Sequence, residues 1–131
     1  MDMRKTVLLV GHCGADSAYL KLTVKKVLGD VDIRSAEDSQ ELSKALETGT
    51  PELILFNREL GYGFDPNVGV EMIRILHQTY PDLKMMLVSN YADAQQAAEA
   101  AGALPGFGKR ELGSPRVFQI LREALGTAAT K

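Results

Sequence analysis

Short apolar segments recur along the chain. Each is followed by a stretch in which apolar residues return every three or four positions, or by one rich in alanine. Val7-Leu8-Leu9-Val10 is a continuous apolar run, as a strand buried on both faces requires. Val31-Asp32-Ile33-Arg34-Ser35 alternates apolar and polar residues, the pattern of a half-exposed edge strand. Leu53-Ile54-Leu55-Phe56, entered from Thr50-Pro51-Glu52 and ending on Asn57, is again a buried strand, and the pattern makes it the central one. Lys84-Met85-Met86-Leu87-Val88-Ser89 is a fourth strand ending on a hydroxyl. Ala103-Leu104-Pro105-Gly106-Phe107-Gly108 is predicted as a short fifth strand, weakened by its Pro and Gly.

The helices fall between these strands. The first is predicted to begin near Ala15 to Ser17 and to end at Gly29-Asp30, with Leu20, Val24, Val27 and Leu28 inward and Lys21, Lys25 and Lys26 outward. Asp38 or Ser39 caps the second, whose stripe is Leu42, Ala45 and Leu46 and whose stop is Gly49. The third runs from about Val68 to Tyr80, with Met72, Ile73, Leu76 and Tyr80 inward, and Pro81-Asp82 stops it. Ala92 to Ala101 is helical by propensity and packs shallowly. Ser114-Pro115 starts the last, striped by Val117, Ile120, Leu121, Ala124 and Leu125. Gly126 ends it, and residues 127–131 read as a frayed tail or the start of a linker. Strand and helix thus alternate five times, which predicts an α/β fold: a doubly wound, five-stranded parallel sheet with helices on both faces, in one domain.

Composition sets bounds on this picture. The chain has 131 residues, 45% hydrophobic and 24% charged, with a formal net charge of −2. No Lys/Arg block is present, so direct nucleic-acid binding is not expected. The apolar runs are too short to cross a membrane, and the start of the chain lacks a signal-peptide pattern. Cys13 is the only cysteine, which precludes an internal disulfide, and a cytoplasmic location is the expectation.

With the order of elements in place, the chain resembles the receiver domain of two-component response regulators, a CheY-like, flavodoxin-like fold, over about Lys5 to Gly126. The signposts are Pro51-Glu52-Leu53-Ile54-Leu55-Phe56-Asn57, which is similar to the segment leading to the phosphoacceptor, then Ser89 at the end of strand four and Lys109 just after strand five. The resemblance implies a phosphorylatable aspartate after strand three. It implies an acidic pair after strand one that helps this aspartate hold Mg²⁺. It also implies a hydroxyl and a lysine that grip the phosphoryl oxygens and reshape the face of helix four, strand five and helix five.

Against that pattern the sequence departs at several places. The acceptor position holds Asn57, whose carboxamide cannot form an acyl phosphate. Gly11, His12 and Cys13 stand where the acidic pair would be, and none is a good Mg²⁺ ligand. Asn90 follows Ser89, Arg110 follows Lys109, and the aromatic switch position falls on Gly106, with Phe107 beside it. The loop from Arg58 to Asn67 is about four residues longer than usual by the resemblance and carries Tyr62 and Phe64 between glycines.

Each candidate has a plain reading and a sharper one. Asn57 is either a strand-end amide bonding nearby backbone or, with Ser89 and Lys109, a neutral remnant of the receiver site. Lys109 reaches solvent, bonds Asn57 and carbonyl oxygens, or binds an anion with Ser89. His12 and Cys13 fill the space of the acidic pair, and a metal or thiol role is the lesser alternative. His77 is expected to face solvent. Asp16, Glu59 and Asp65 are read as solvated loop or cap residues. The long loop covers the crevice or meets a partner.

The resulting expectation is a pseudo-receiver. It would be a non-enzymatic protein-interaction module in signal transduction, without aspartyl phosphorylation and with weak or no Mg²⁺ binding. Its partner would be another signalling protein, an output domain of the same chain, or a second copy. Contact would run through helix four, strand five and helix five, with Tyr91, Phe107 and Arg110 as exposed anchors. Two alternatives stand beside it: a phospho-accepting receiver that uses a displaced carboxylate such as Asp65, and an anion- or small-molecule-binding flavodoxin-like domain.

Overall fold

A computed structural model describes residues 5–125; Gly126 and residues 127–131, read above as helix stop and tail, lie outside them. The strands are β1 (Lys5–Val10), β2 (Val31–Ala36), β3 (Leu53–Asn57) and β4 (Met85–Val88). The helices are α1 (Gly14–Leu28), α2 (Ser39–Thr48), α3 (Gly69–Thr79), α4 (Ala92–Ala101) and α5 (Pro115–Leu125). The sheet order is β2-β1-β3-β4, with every pairing parallel.

Side chains alternate across each strand, so the continuous apolar runs feed two cores. Leu8, Val10, Ile54, Phe56, Met85 and Leu87 face Leu42 and Leu46 of α2, Ile73 and Leu76 of α3, and Ala98 and Ala101 of α4. Val7, Leu9, Leu53, Leu55, Met86 and Val88 face Leu20 and Val24 of α1 and Val117 and Leu121 of α5. The chain is therefore a three-layer sandwich whose strands all point their carboxyl ends to one edge, where open α/β sheets place their sites.

Local signals explain most boundaries. Asp38 caps α2 by accepting from the Glu41 N–H at 2.8 Å, while Glu41 reaches back to the Glu37 N–H at 2.6 Å. The first helix starts earlier than its sequence indicates, at Gly14, because Cys13 acts as its cap, with Sγ 3.5 Å from the Asp16 N–H. At the far end of the molecule Lys5 and Lys84 donate to the last carbonyls of α5, those of Leu125 and Ala124, each at 2.6 Å.

Two expectations need correction. The fifth strand does not form: residues 103–107 make one isolated parallel bridge, Val88 to Phe107, beside β4. Pro105 has no N–H to give, and a Cβ on Gly106 would overlap the Leu87 carbonyl, so the segment passes β4 too closely and with too few donors for a ladder. His77 does not face solvent; its ring is half-buried under Gly102, where any Cβ would strike it.

The long loop folds onto the head of α2. Glu59 pairs antiparallel with Val68, and the Leu60 N–H meets the Asn67 carbonyl at 2.8 Å. Ser39 N–H donates to the Gly63 carbonyl at 2.9 Å, and Phe64 is buried in the α2–α3 core. Leu60 lies against Gly11, whose φ of +78° only glycine adopts readily and whose missing Cβ would stand 2.6 Å from the Leu60 Cδ2. Gly11→Ala is expected to lower unfolding stability by about 2 kcal/mol through strain and overlap together. Gly14→Ala, at a helical position with open space around it, should change stability by less than about 1 kcal/mol, and towards greater stability; urea denaturation of the two variants checks both.

Candidate functional site

The crevice at the carboxyl edge of β3 and β4 is lined by Asn57, Arg58, Glu59, Val88, Ser89, Asn90, Tyr91 and Lys109, around a cavity of about 210 Å³. The strand ends position these side chains. Asn57 follows four buried residues of β3 and is the first to emerge. Ser89 follows the buried Val88, and Lys109 opens a 3-10 turn over residues 109–111. The resemblance had brought Asn57, Ser89 and Lys109 together, and the structure places all three on this cavity.

Each of them is engaged with the protein itself. The Asn57 Nδ2 donates to the Gly11 carbonyl at 3.1 Å and to the Glu59 carbonyl at 2.8 Å, tying the loop after β1 to the loop after β3. The Ser89 Oγ accepts from the Tyr91 N–H at 3.1 Å, ahead of α4. Lys109 bonds neither Asn57 nor a carbonyl: its ammonium pairs with Asp16 of α1 at 2.5 Å, both side chains about one-third exposed. That pair holds the Asp16 carboxyl below its ordinary range, the Lys109 hydrogen bond being the main cause. Asp16, expected to be a solvated cap residue, is thus the counter-ion of the crevice lysine.

Neighbouring residues complete the closure. The Asn90 Oδ1 accepts from the Arg110 N–H at 3.1 Å, and it fills the place where a Cβ of residue 108 would stand, which requires Gly108. Glu111 accepts from the Gly108 N–H at 2.9 Å and pairs with Arg116 at 2.7 Å. The Arg58 guanidinium stacks 4.7 Å from the Tyr91 ring centre, bridging the β3 and β4 loops.

His12 turns inward. Its Nε2 lies 2.9 Å from the Leu55 carbonyl, which can only accept, so Nε2 carries the proton and the buried Nδ1 is bare, with no partner. Burial pushes its pKa down to about 4, and the nearby Lys109 acts in the same direction; the Leu55 hydrogen bond and Asp16 oppose it. Cys13 is exposed.

The positions around this crevice do not suit Mg²⁺. A hard cation wants carboxylate oxygens, whereas Asn57 directs N–H groups at the adjacent carbonyls, His12 is a neutral donor, and Asp16 is committed to Lys109. Among the described residues no three His, Cys, Asp or Glu side chains gather as a metal set. Asp65 is exposed at the head of α2, where its N–H donates to the Ser39 Oγ at 3.0 Å, and it does not line the crevice. Of the long loop only Arg58 and Glu59 reach the cavity; Tyr62 is fully exposed.

Of the three residues read as exposed anchors, Tyr91 and Arg110 are exposed. Phe107 is not: it is 1% exposed and packs among Met86, Val88, Val117 and Leu121. The close passage of residues 103–107 turns its ring into the α1–α5 core, so it is neither a surface anchor nor a stand-in for an aromatic switch. Sequence reasoning also missed Gln95, half-buried on α4, whose Nε2 lies within 2.9–3.3 Å of three carbonyls at the strand ends; its only signal was a polar residue on an otherwise alanine inner face.

The chain has the fold of response-regulator receiver domains. The signal receiver domain of a DNA binding response regulator protein (merR) from Colwellia psychrerythraea 34H matches with a TM-score of 0.73 at 15% identity, over 93% of this chain and 98% of that one. NtrX from Brucella abortus matches at 0.73 and 20% identity over 97% of this chain, which spans only 28% of that protein. The beryllofluoride-activated NtrC4 receiver domain dimer matches at 0.71 and 15% identity, over 95% and 98% of the two chains. No protein-family model and no curated protein matches the sequence. Among the described residues no helix is long and apolar enough to cross a membrane.

The buried imidazole makes stability depend on pH. The unfolded ring binds a proton near pH 6.5 while the folded ring resists it until about pH 4, so stability falls as pH drops through that window. The loss is expected to reach up to about 3 kcal/mol. Asp16, also depressed in the folded state, adds a loss in the same direction, but only at more acid pH. His12→Gln, which keeps a donor for the Leu55 carbonyl without the titration, should flatten the profile between pH 4 and 6.5 in urea melts.

Proposed function

We propose that this chain is a signalling module on a receiver fold that works by protein contact, without aspartyl phosphorylation and without enzymatic activity of its own. One observation carries the reading. The group at the phosphoacceptor seat is an amide whose two N–H bonds are spent on the Gly11 and Glu59 carbonyls. The lysine that would grip a phosphoryl group is meanwhile held by Asp16. Such a crevice has neither the nucleophile nor the cation cage that phosphoryl transfer needs. Its donors and acceptors serve to fix loops.

The contact surface we assign is α4, residues 103–107 and α5, with Tyr91 and Arg110 exposed at its upper rim. The partner is another signalling protein, an output domain joined to the chain, or a second copy, in the cytoplasm. Support for an attached domain comes from the match to part of the much longer NtrX, and support for a second copy from the NtrC4 receiver dimer. The displaced-carboxylate reading has less behind it, since Asp65 is tied to α2 through Ser39.

Incubation with acetyl phosphate and Mg²⁺ is expected to leave the intact mass unchanged, and stable phosphate on any aspartate would overturn the reading. Asn57→Asp is expected to remain unlabelled as well. It should also lose about 1–3 kcal/mol of stability, because a carboxylate oxygen would then face the Gly11 and Glu59 carbonyls in place of two donors. Robust, Mg²⁺-dependent labelling of that variant would show that the rest of the site is intact.

A further inference from the structure

Beyond Arg58 and Glu59 no residue of the loop between β3 and α3 lines the crevice. The apex of the loop is nevertheless fixed. Leu60 is buried before it and Phe64 after it, so the loop is pinned to the body of the protein on both sides. The Gly63 carbonyl accepts from the Ser39 N–H at 2.9 Å, and the Asp65 N–H donates to the Ser39 Oγ at 3.0 Å. Gly61, at a φ of +97°, makes the turn, and a Cβ on Gly63 would stand 2.8 Å from the Cβ of Asp38. Between these two glycines Tyr62 is wholly exposed, more so than any other large hydrophobic side chain among the described residues. A single exposed apolar residue is ordinary. An aromatic ring held out between anchored neighbours is preorganised for contact, because the cost of ordering its loop is met on folding.

The ring lines a groove. With Glu59, Gly61, Asn67 and Val68 it surrounds a volume of about 380 Å³ beside the apex, and Val68 offers an exposed aliphatic surface there. Carboxylates stand on either side. Glu59 lines the groove, Asp65 follows the apex, and Asp38 lies against Gly63, with Glu37 and Glu41 beside it at the head of α2. Asp38 and Glu41 accept backbone N–H groups at the start of α2, an ordinary use of acids at a helix N-terminus. The side chains of Glu37, Glu59 and Asp65 have no such task among the described residues. Glu59 meets Arg58 only at 3.4 Å, and among the described residues no lysine or arginine pairs with Glu37, Asp38, Glu41 or Asp65. The carboxylates alone define no site; they decide the charge of the group that can lie against Tyr62.

We propose that the apex of this loop is a docking site for a basic segment of another protein, with an arginine of that segment stacked on the Tyr62 ring and an aliphatic neighbour against Val68 in the groove. A guanidinium over an exposed aromatic face is attracted by the ring and, here, by the carboxylates on either side of it. The chain makes the same kind of stack internally, between Arg58 and Tyr91. Anionic surfaces, whether phospholipid or nucleic acid, are repelled by the same carboxylates. The site shares no residue with the α4–α5 face assigned above. It gives the module a second contact surface and requires nothing of that face or of the crevice.

Titration of the isotopically labelled protein with the peptide acetyl-Gly-Arg-Leu-Arg-Gly-amide, followed by backbone amide chemical shifts, provides the test. Saturable shifts are expected at residues 59–68 and at the head of α2, and they should weaken as salt is raised. The same peptide with glutamate in place of each arginine is expected to shift none of these amides. Tyr62→Ser, at a wholly exposed position, should leave the urea midpoint unchanged and weaken binding of the arginine peptide about three- to tenfold. Absence of saturable shifts at the loop, or equal affinity of Tyr62→Ser, would overturn the proposal. Loop shifts that grow with protein concentration in the absence of peptide would place a second copy in the groove and overturn it too. Failure of this site would leave the phosphorylation experiments untouched, and labelling in those would leave the site untouched.

Discussion

The structure depends on how the carbonyl groups at the carboxyl edge of the sheet are satisfied. Strands that end together on one edge leave backbone acceptors pointing into a crevice, and each needs a donor or water. Here side-chain amides supply the donors. Asn57 joins Gly11 to Glu59 across the top of β3. Gln95 serves the ends of β4 and of residues 103–107. Asn90, from the acceptor side, takes the Arg110 N–H and fixes the turn at Gly108. An amide bears no charge at any ordinary pH and needs no metal. An edge closed in this way therefore keeps its shape without a counter-ion, whereas a carboxylate cluster in the same place would require one.

The remaining charge follows the same logic. An ammonium in a half-buried crevice is costly without a partner, and Asp16, on the first turn of α1, provides it. This brings α1 to the Lys109 turn and leaves His12, the next group inward, neutral and bonded to the Leu55 carbonyl. His12, Asp16 and Lys109 form one arrangement: the lysine's charge helps to keep the imidazole unprotonated, and the aspartate offsets the lysine.

Most of the fold was legible because the signals were local. The apolar runs of β1, β3 and β4, the alternation in β2, and the stripes of α2, α3 and α5 each lie within a dozen residues. The cap at Asp38 and the stop at Gly49 were readable for the same reason. The site was legible as three positions, Asn57, Ser89 and Lys109, and not as a set of bonds. The partner of Lys109 lies 93 residues away in sequence, and nothing local marks Asp16 as different from a cap. Phe107 was misplaced because the side on which an aromatic emerges depends on register, and the fifth strand has no register beyond one bridge. Gln95 was passed over in an alanine-rich helix whose polar residues all looked solvated.

The proposal that one substitution does not convert this crevice into a phosphorylatable one follows from the same residues. A carboxylate at position 57 would have to turn away from two carbonyls that now bind it. It would find Lys109 already paired, and an imidazole donor where acidic ligands are wanted. Replacing Asn57 or His12 by a carboxylate removes a bond that the neutral site uses to hold its loops, so such sequences would be less stable. On this reasoning the amide-closed edge is a separate solution to the loop-closure problem, in which neutral side chains hold the loops that surround the crevice.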